Sequence, residues 1–483
     1  MLPTITVDVG TTSVKLCLFD AAGALQASAR EATPTRADAW GEVYDLEALD
    51  AVLTGFVGSL DADERRSVKR IAITGVGESG GLVREDLSLA SPMILWHDHR
   101  GADRLSGLDA AARREIYAVT GLPVNANYGL SKVAWAVENA DAGSAADAQW
   151  LNISEYLAAR MTGERWAEYS LASRTLALDL GTRTWSASVA GLLGVDVGVF
   201  PPLRSATEGS LVTAAFARAT GLGTDVEVHV AGHDHVVGAA GSGLARGELL
   251  NSTGTTEGLL VLREAPSTDV RSERAKLANG LSSTGGDATL FASIPTGGSA
   301  FATLQNMLGL DADALTAVVA RLHARYLAGE IDLRGVPLVL PEFRGSPPPT
   351  KNAKARGVIA GLHSDTTLDE IVFGTFLGMA LQFRDVLELF PEEPTAIKVI
   401  GPASRNPLWL QLKADLLDAP LSVSRFPEVV SVGAQALASG ERRSWAECDP
   451  SEVDPDQGRA ATLAEWQHGV APLWQHLKEG AER

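Results

Sequence analysis

The chain has 483 residues, 45% of them hydrophobic and 21% charged, with a formal net charge of −19. That length exceeds one hydrophobic core and implies two or three domains, and the acidic balance argues against a general nucleic-acid or anionic-membrane binder. Only two cysteines, Cys17 and Cys448, are present, which speaks against a disulfide scaffold or a Cys-rich metal centre; without a basic leader or a run of about 18 apolar residues, a soluble cytoplasmic protein is expected.

The first predicted element is a hairpin. Ile5, Val7 and Val9 precede a Gly10-Thr11-Thr12-Ser13 turn, and Val14, Leu16, Leu18 and Phe19 follow it. Apolar residues at helical spacing then predict a helix from Asp45 to Leu60, and Arg70–Thr74 a strand, which together make a strand–helix–strand crossover. Helices are expected over Ser131–Ala140 and Asn152–Thr162, and extended chain over Thr175–Trp185. Val226–Ala231 predicts a strand running into the glycine-rich Gly232–Gly243, the expected domain hinge. The second half repeats the grammar with a hairpin around Asn251–Thr256, flanked by Leu249 and Leu250 before and Leu259–Leu262 after. Helices at Ser299–Leu308, Asp311–Ala328 and Leu368–Phe390, a strand at Ala396–Ile400 and a helix at Asn406–Leu417 follow. Arg344–Pro349 is a loop, and the polar tail after Gly440 is expected to be peripheral.

Glycine at a hairpin tip lets the backbone approach a ligand, and the neighbouring hydroxyl and N–H groups suit phosphate oxygens. One such tip is an ordinary turn; two, separated by half the chain, suggest a duplicated fold gripping one nucleotide. No Walker P-loop occurs, so phosphate contacts must come from these tips. Gly75-Val76-Gly77-Glu78-Ser79-Gly80-Gly81 satisfies both G-x-G-x-x-G and G-x-S-x-G, yet each pattern requires a helix directly afterwards. The apolar pair and charged turn that follow favour a tight turn between strands, with Glu78 lining a pocket. His97-Asp98-His99 and His233-Asp234-His235 carry metal-ligating residue types, but alternation along an extended strand would point the two histidines away from the aspartate.

DVGTTSVK at Asp8–Lys15, W-x-D-x-R at Trp96–Arg100, GHDH at Gly232–His235, STGTT at Ser252–Thr256 and GPASRNPLW at Gly401–Trp409 occur in this order. Together they resemble the FGGY carbohydrate kinases, relatives of actin and the 70-kDa heat-shock ATPases. The resemblance implies an α/β fold of two ribonuclease-H-like domains around a central cleft, with residues 1–241 binding sugar and 242–483 binding nucleotide. It implies ATP and Mg²⁺ as cofactors, Asp234 as the base that takes the acceptor hydroxyl's proton, and Asp8 with Asp234 as metal ligands. Glu78, Trp96, Asp98, Arg100 and His235 are the implied substrate contacts. Thr11, Thr12, Ser13, Gly254, Thr255, Gly298, Gly401 and Asn406 are the implied nucleotide contacts.

Gly401-Pro402-Ala403 stands where the family often has three glycines, and Arg344-Gly345-Ser346-Pro347 replaces a motif common in xylulokinases. The expected activity is therefore ATP-dependent phosphorylation of a small sugar, ketose or polyol, with the alcohol unspecified. The expected partner is that small molecule, with a homodimer as the commonest oligomer. Two other functions stand beside it: a regulatory actin-like ATP-binding protein without kinase activity, and a serine hydrolase using Ser79.

Overall fold

The computed structural model describes residues 1–140 and 147–481. Two mixed sheets form its frame. The first is built from β1 (Thr4–Val9), β2 (Ser13–Phe19), β3 (Leu25–Ala32), β4 (Arg70–Gly75), β5 (Ser210–Leu211) and β6 (Glu227–His233), in the order β5-β6-β4-β1-β2-β3. The second contains β7 (Glu248–Thr253), β8 (Glu257–Arg263), β9 (Ala278–Leu281), β10 (Ala288–Ile294), β11 (Ala396–Ile400), β12 (Leu421–Ser424) and β13 (Pro450–Val453), in the order β9-β10-β8-β7-β11-β12-β13.

The sheets are copies of one plan. In each, a hairpin pairs antiparallel, a third strand extends it on one side, and two strands join in parallel on the other. The parallel strands need crossovers, and helices supply them: α1 (Leu46–Ser59) lies between β2 and β4, and the α2 (Gly129–Asn139) and α3 (Ile153–Thr162) segment lies between β4 and β6. Val7, Val9, Val14 and Leu16 from the first hairpin join Leu49, Leu53 and Val57 of α1 in one core, because a strand with buried faces and an amphipathic helix each have an apolar side to hide.

Each fifth strand leads into a helix at the junction of the halves. β6 runs into α4 (Asp234–Gly241), so the expected Gly232–Gly243 hinge is a helix. Its glycines serve packing instead: a Cβ on Gly241 would lie 2.0 Å from the Val429 carbonyl, and one on Gly433 2.4 Å from that of Val237. α4 therefore lies directly against α9, introduced below, and a side chain at either glycine would force them apart.

The longer helices of the second half are α5 (Ser299–Leu308), α6 (Ala312–Leu327), α7 (Leu368–Leu387), α8 (Pro407–Leu417), α9 (Val429–Ala438) and α10 (Gln457–Ala481). α9 follows β12 of the second sheet yet packs on the first, where Val432 meets Cys17 and Phe19 and the Gln435 amide donates to the Leu2 and Asp20 carbonyls at 2.8 and 2.7 Å. Two further expectations are corrected. Thr175–Trp185 is no continuous strand but two short ones, Leu178–Asp179 and Thr184–Trp185, folded on each other. The tail after Gly440 is not peripheral: β13 pairs with β12, and α10 buries Leu463 and Trp474 against the second half. Its polar composition hid these two well-spaced anchors, because a helix lying on a surface needs only one apolar stripe.

Candidate active site

Both tips are braced from behind, which leaves their outer groups free. At the first, Gly10 N–H donates to the Ser13 carbonyl at 3.1 Å, and the Thr33 hydroxyl on the β3 side donates to the Gly10 carbonyl at 2.8 Å. Thr11 and Thr12 stay exposed, while Ser13 Oγ accepts from Arg30 at 3.1 Å. At the second, the Gly298 N–H donates to the Gly254 carbonyl at 2.8 Å, and Gly297 and Ser299 N–H both donate to the Thr255 carbonyl at 3.2 Å. A Cβ on Gly298 would lie 2.8 Å from the Gly254 oxygen, and one on Gly297 2.6 Å from the Thr256 backbone, so these glycines let the α5 start close on the tip.

Between the tips lie two carboxyls. Asp8 sits near the end of β1, and Asp234 opens α4. Burial raises Asp8 to about 7, with the charge of Asp234 adding to it. Asp234 is also raised to about 7 by burial, helped by Glu78 and opposed by the His235 N–H and Arg174. It keeps 29% side-chain exposure because it faces the cleft. Its Oδ1 accepts the His235 N–H at 2.7 Å, so the carboxyl is held by the first turn of its own helix. Among the described residues, neither acid has a lysine or arginine within ion-pair distance: nearby Lys15 bonds Glu428 at 2.8 Å instead.

Beside Asp234, Glu78, Arg174, Tyr128, His233, His235 and Phe291 form one connected cluster. Glu78 stands at φ +62° on the turn between β4 and the Gly81–Val83 strand. Such a conformation is strained for a side chain of its size. Asn152 holds the turn there, its amide donating to the Val76 and Ser79 carbonyls at 3.2 and 3.0 Å. The Glu78 carboxylate takes two bonds from Arg174, 2.8 Å to Nε and 2.7 Å to Nη2. The guanidinium in turn stacks 5.0 Å from the Tyr128 ring and 5.7 Å from that of Phe291, which comes from the second sheet. His235 packs on Phe291 at 4.7 Å and bonds Ser252 Oγ through Nδ1 at 2.6 Å. Burial and then Arg174 push His235 down to about 4, and His233 also lies well below the usual range for the same reasons, so both imidazoles are neutral at physiological pH.

Of the W-x-D-x-R triplet, Trp96 alone reaches the tip, its indole N–H donating to Thr11 Oγ1 at 3.0 Å. Arg100 does not meet the expectation of a substrate contact. Its side chain is 3% exposed and bonds Asp98 Oδ2 at 2.6 Å and Asp38 Oδ2 at 3.1 Å, which also occupies Asp98. The segment is a turn rather than a strand, and His99 bonds Asn127 at 2.7 Å. Ser79 is 1% exposed; its hydroxyl meets only Tyr44 OH, at 3.3 Å, and a strand instead of a helix follows.

In the second half, Gly401 ends β11 at φ +100°, and a Cβ there would lie 2.6 Å from the Thr253 carbonyl. Only glycine fits both that angle and that approach. Asn406 caps α8 through Oδ1, which accepts the Trp409 N–H at 3.1 Å. Its Nδ2, the Thr296 hydroxyl and the Ser299 hydroxyl are buried with no hydrogen-bond partner among the described residues. Thr296 and Ser299 flank Gly297 and Gly298, and each of these orphaned groups lacks the partner that a buried polar atom ordinarily has. Further along α8, the wholly buried Lys413 ammonium joins Glu257 and, at 3.0 Å, Asn251 Oδ1, and lies 3.9 Å from the Trp409 ring. Asn251 and Glu257 flank the second tip, so this network fixes it to α8.

Sequence reasoning did not find Arg174, Tyr128, Phe291 or Lys413, and it read Ser252 in the STGTT motif without giving it a role. The first four lie in no local pattern; the one signal was Arg174's place just before the extended stretch at Thr175.

Two ribonuclease-H-like halves facing across a cleft define an actin-like ATPase fold. Models of the FGGY family of carbohydrate kinases match both halves, the N-terminal domain over residues 4–241 and the C-terminal domain over 249–441. The chain belongs to this family, and it is a carbohydrate kinase, a phosphotransferase with an alcohol group as acceptor. It is 24% identical over 474 residues to a glycerol kinase of Lactococcus lactis, covering 94% of this chain and 92% of that one. Among solved structures it resembles the xylulose kinase of Lactobacillus acidophilus (TM-score 0.85, 19% identity, 99% of this chain and 98% of that one). It also resembles the Plasmodium falciparum glycerol kinase with ADP (TM-score 0.82, 20% identity, 97% and 98%). Membership sets aside the serine hydrolase and the non-enzymatic regulatory protein. No helix among the described residues is long and apolar enough to cross a membrane.

Proposed function

We propose that the chain transfers the γ-phosphoryl group of ATP to a hydroxyl of a small neutral polyol or ketose, with Asp234 as general base. The observation that carries this is the position of Asp234: a cleft-facing carboxyl between two braced Gly-Thr-Thr tips, one in each half. Phosphoryl transfer has a loose transition state, so the protein positions groups and neutralises charge. Thr11, Thr12 and Ser13 offer donors from one side and Thr255 from the other, while Gly254, whose N–H donates to the Thr256 carbonyl at 3.0 Å, leaves the tip without a side chain. Asp234 takes the alcohol's proton as oxygen attacks, a role suited to an acid whose affinity for protons lies near neutrality.

Two facing carboxyls without a bonded cation fit Mg²⁺, which favours few carboxylates plus phosphate oxygens. Asp8 and Asp234 would hold it, directly or through water, and when bound it would offset charge on the ATP phosphates.

ATP fits the second half. Gly298 and Gly401, packed on the Gly254 and Thr253 carbonyls, hold the start of α5 and the end of β11 close to the second tip, and the Asn406 amide supplies a donor to the adenine base. The alcohol fits beside Asp234, with Glu78 and Arg174 as paired acceptor and donor and Phe291 as an apolar wall. Because Arg174 is already neutralised by Glu78, the pocket favours a neutral substrate over a sugar acid. Trp96 closes the side next to Thr11, while Asp98 and Arg100 brace the turn that carries it.

The test is ADP release from MgATP across glycerol, erythritol, D-xylulose, D-ribulose and D-gluconate, repeated with Asp234→Asn. Turnover of a neutral member, lost in the variant while ADP still binds, is expected. Near wild-type turnover in Asp234→Asn removes it as the base; preference for D-gluconate overturns the neutral assignment.

A further inference from the structure

The duplicated plan permits the halves to be compared position by position. In the first hairpin Asp8 stands opposite Lys15; in the second, Ser252 stands opposite Gly258 at the equivalent place. Each of these registered pairs is met by a side chain from the start of the other half's junction helix. Glu428, the residue before α9 of the second half, reaches Lys15 Nζ at 2.8 Å. His235, the second residue of α4 of the first half, reaches Ser252 Oγ at 2.6 Å. A Cβ on Gly258 would lie 2.8 Å from the His235 ring, so this glycine is the socket into which the imidazole fits. The contacts are reciprocal: each half grips the other's hairpin just behind its Gly-Thr-Thr tip.

We propose that Glu428–Lys15 and His235–Ser252 form a two-point clamp, and that these four are positioning residues that hold Asp234 in line with the phosphate carried between the tips. The assignment rests on the kinase reading given above. The base lies on the first half and the phosphate-holding tips are shared between the halves, so its alignment with the second tip depends on how the halves meet. α4 and α9 supply that meeting surface, and their close glycine crossing allows it to pivot little. The two clamp points lie on either side of that crossing, in the hairpins that end at the reacting phosphate. Misplacement by about 1 Å costs roughly 100-fold in rate, so a clamp this close to the tips governs chemistry more than nucleotide affinity. A released clamp also admits water to the phosphate, because closure is what excludes it.

Ser252→Ala and Glu428→Gln each remove one clamp point while leaving Asp234 intact. In MgATP, with whichever alcohol of the panel above the wild-type chain turns over fastest, each is expected to lower kcat by roughly 10–100-fold without changing KM for ATP. Each is also expected to release ADP in excess over phosphorylated alcohol. Partial unfolding would lower both products equally, so the ratio distinguishes positioning from fold. Gly258→Ala is expected to reproduce the Ser252→Ala defect in the wild-type chain and to add nothing in a His235→Ala background, where no ring remains to be displaced and the Ser252 hydroxyl, also 2.8 Å from the built Cβ, is free to rotate away. Small-angle scattering in MgADP needs no alcohol, and the variants are expected to show a larger radius of gyration than wild type. Equal amounts of ADP and product together with unchanged scattering overturn the clamp, and an effect at one point only overturns its reciprocity. Asp234→Asn measured alongside separates the two claims: turnover retained there sinks the base, whereas the scattering result judges the clamp independently.

Discussion

The two hairpins share a strand plan and a Gly-Thr-Thr tip but differ at the residues just behind it. The first has an acid facing a lysine, Asp8 and Lys15; the second has a hydroxyl facing a glycine, Ser252 and Gly258. The first can therefore present negative charge to a cation and phosphate, while the second offers space and neutral donors. One duplicated frame thus yields a charged wall and a neutral one. The same contrast runs outward: Gly75 and Gly401 both end the first parallel strand against the carbonyl before the tip, at 2.7 and 2.6 Å for a built Cβ, but only Gly401 stands in the left-handed region. The second half uses that freedom to bring the end of β11 against the Thr253 backbone.

The largest expected effect breaks the first wall. Asp234→Asn should lower kcat by about 10²–10⁴-fold in a coupled ADP assay, with ADP affinity by calorimetry little changed. Arg174→Met comes next: it leaves Glu78 buried without its partner, so KM for the alcohol should rise by roughly 10–100-fold, the equivalent of a lost charged hydrogen bond, while KM for ATP stays. Gly401→Ala attacks the second wall alone. Its strained angle and the Thr253 contact should cost about 1–3 kcal/mol of stability and raise KM for ATP, measured by denaturant titration and kinetics.

A smaller effect concerns pH. Glu155 accepts the Asn152 N–H at 2.7 Å and the Glu168 N–H at 3.0 Å, yet burial raises it from 4.5 to about 8. The folded chain therefore keeps a proton that the unfolded chain releases. The stability it contributes is full below about 4.5 and is lost as pH rises to about 8. Wild type minus Glu155→Gln stability, from urea titrations, should shrink across that window by a few kcal/mol at most, at about 1.4 kcal/mol per unit. A gap that stays constant or widens with pH contradicts a buried neutral acid. The smallest effect belongs to Ser79→Ala: kcat within about twofold of wild type, because the hydroxyl gives up only a long bond to Tyr44.

The hairpins, α1 and the strand at Arg70 were legible because alternation and helical spacing are local signals, and glycine at a tip has few other uses. The halves were legible as a pair because the tip recurs. Gly232–Gly243 misled because glycine lowers helix propensity, by about 1 kcal/mol each, while its packing benefit at α9 lies nearly 200 residues away in sequence. Arg174 and Phe291 were hidden for the same reason: they meet only when β6, the Ser170–Arg174 turn and the second sheet come together. Arg100 misled in the opposite direction, since its motif was visible but Asp38, which claims it, carries no signal of its own.

The final residues have a practical meaning that the family match does not convey. That match ends at residue 441, but the second sheet does not, since β13 covers the outer side of β12. A chain shortened to the matched region would present β12 as a bare strand edge and uncover the apolar surface beneath Leu463 and Trp474. Unpaired edges recruit other edges. Such a shortened chain should lose yield to aggregation even though every residue facing the cleft would still be present.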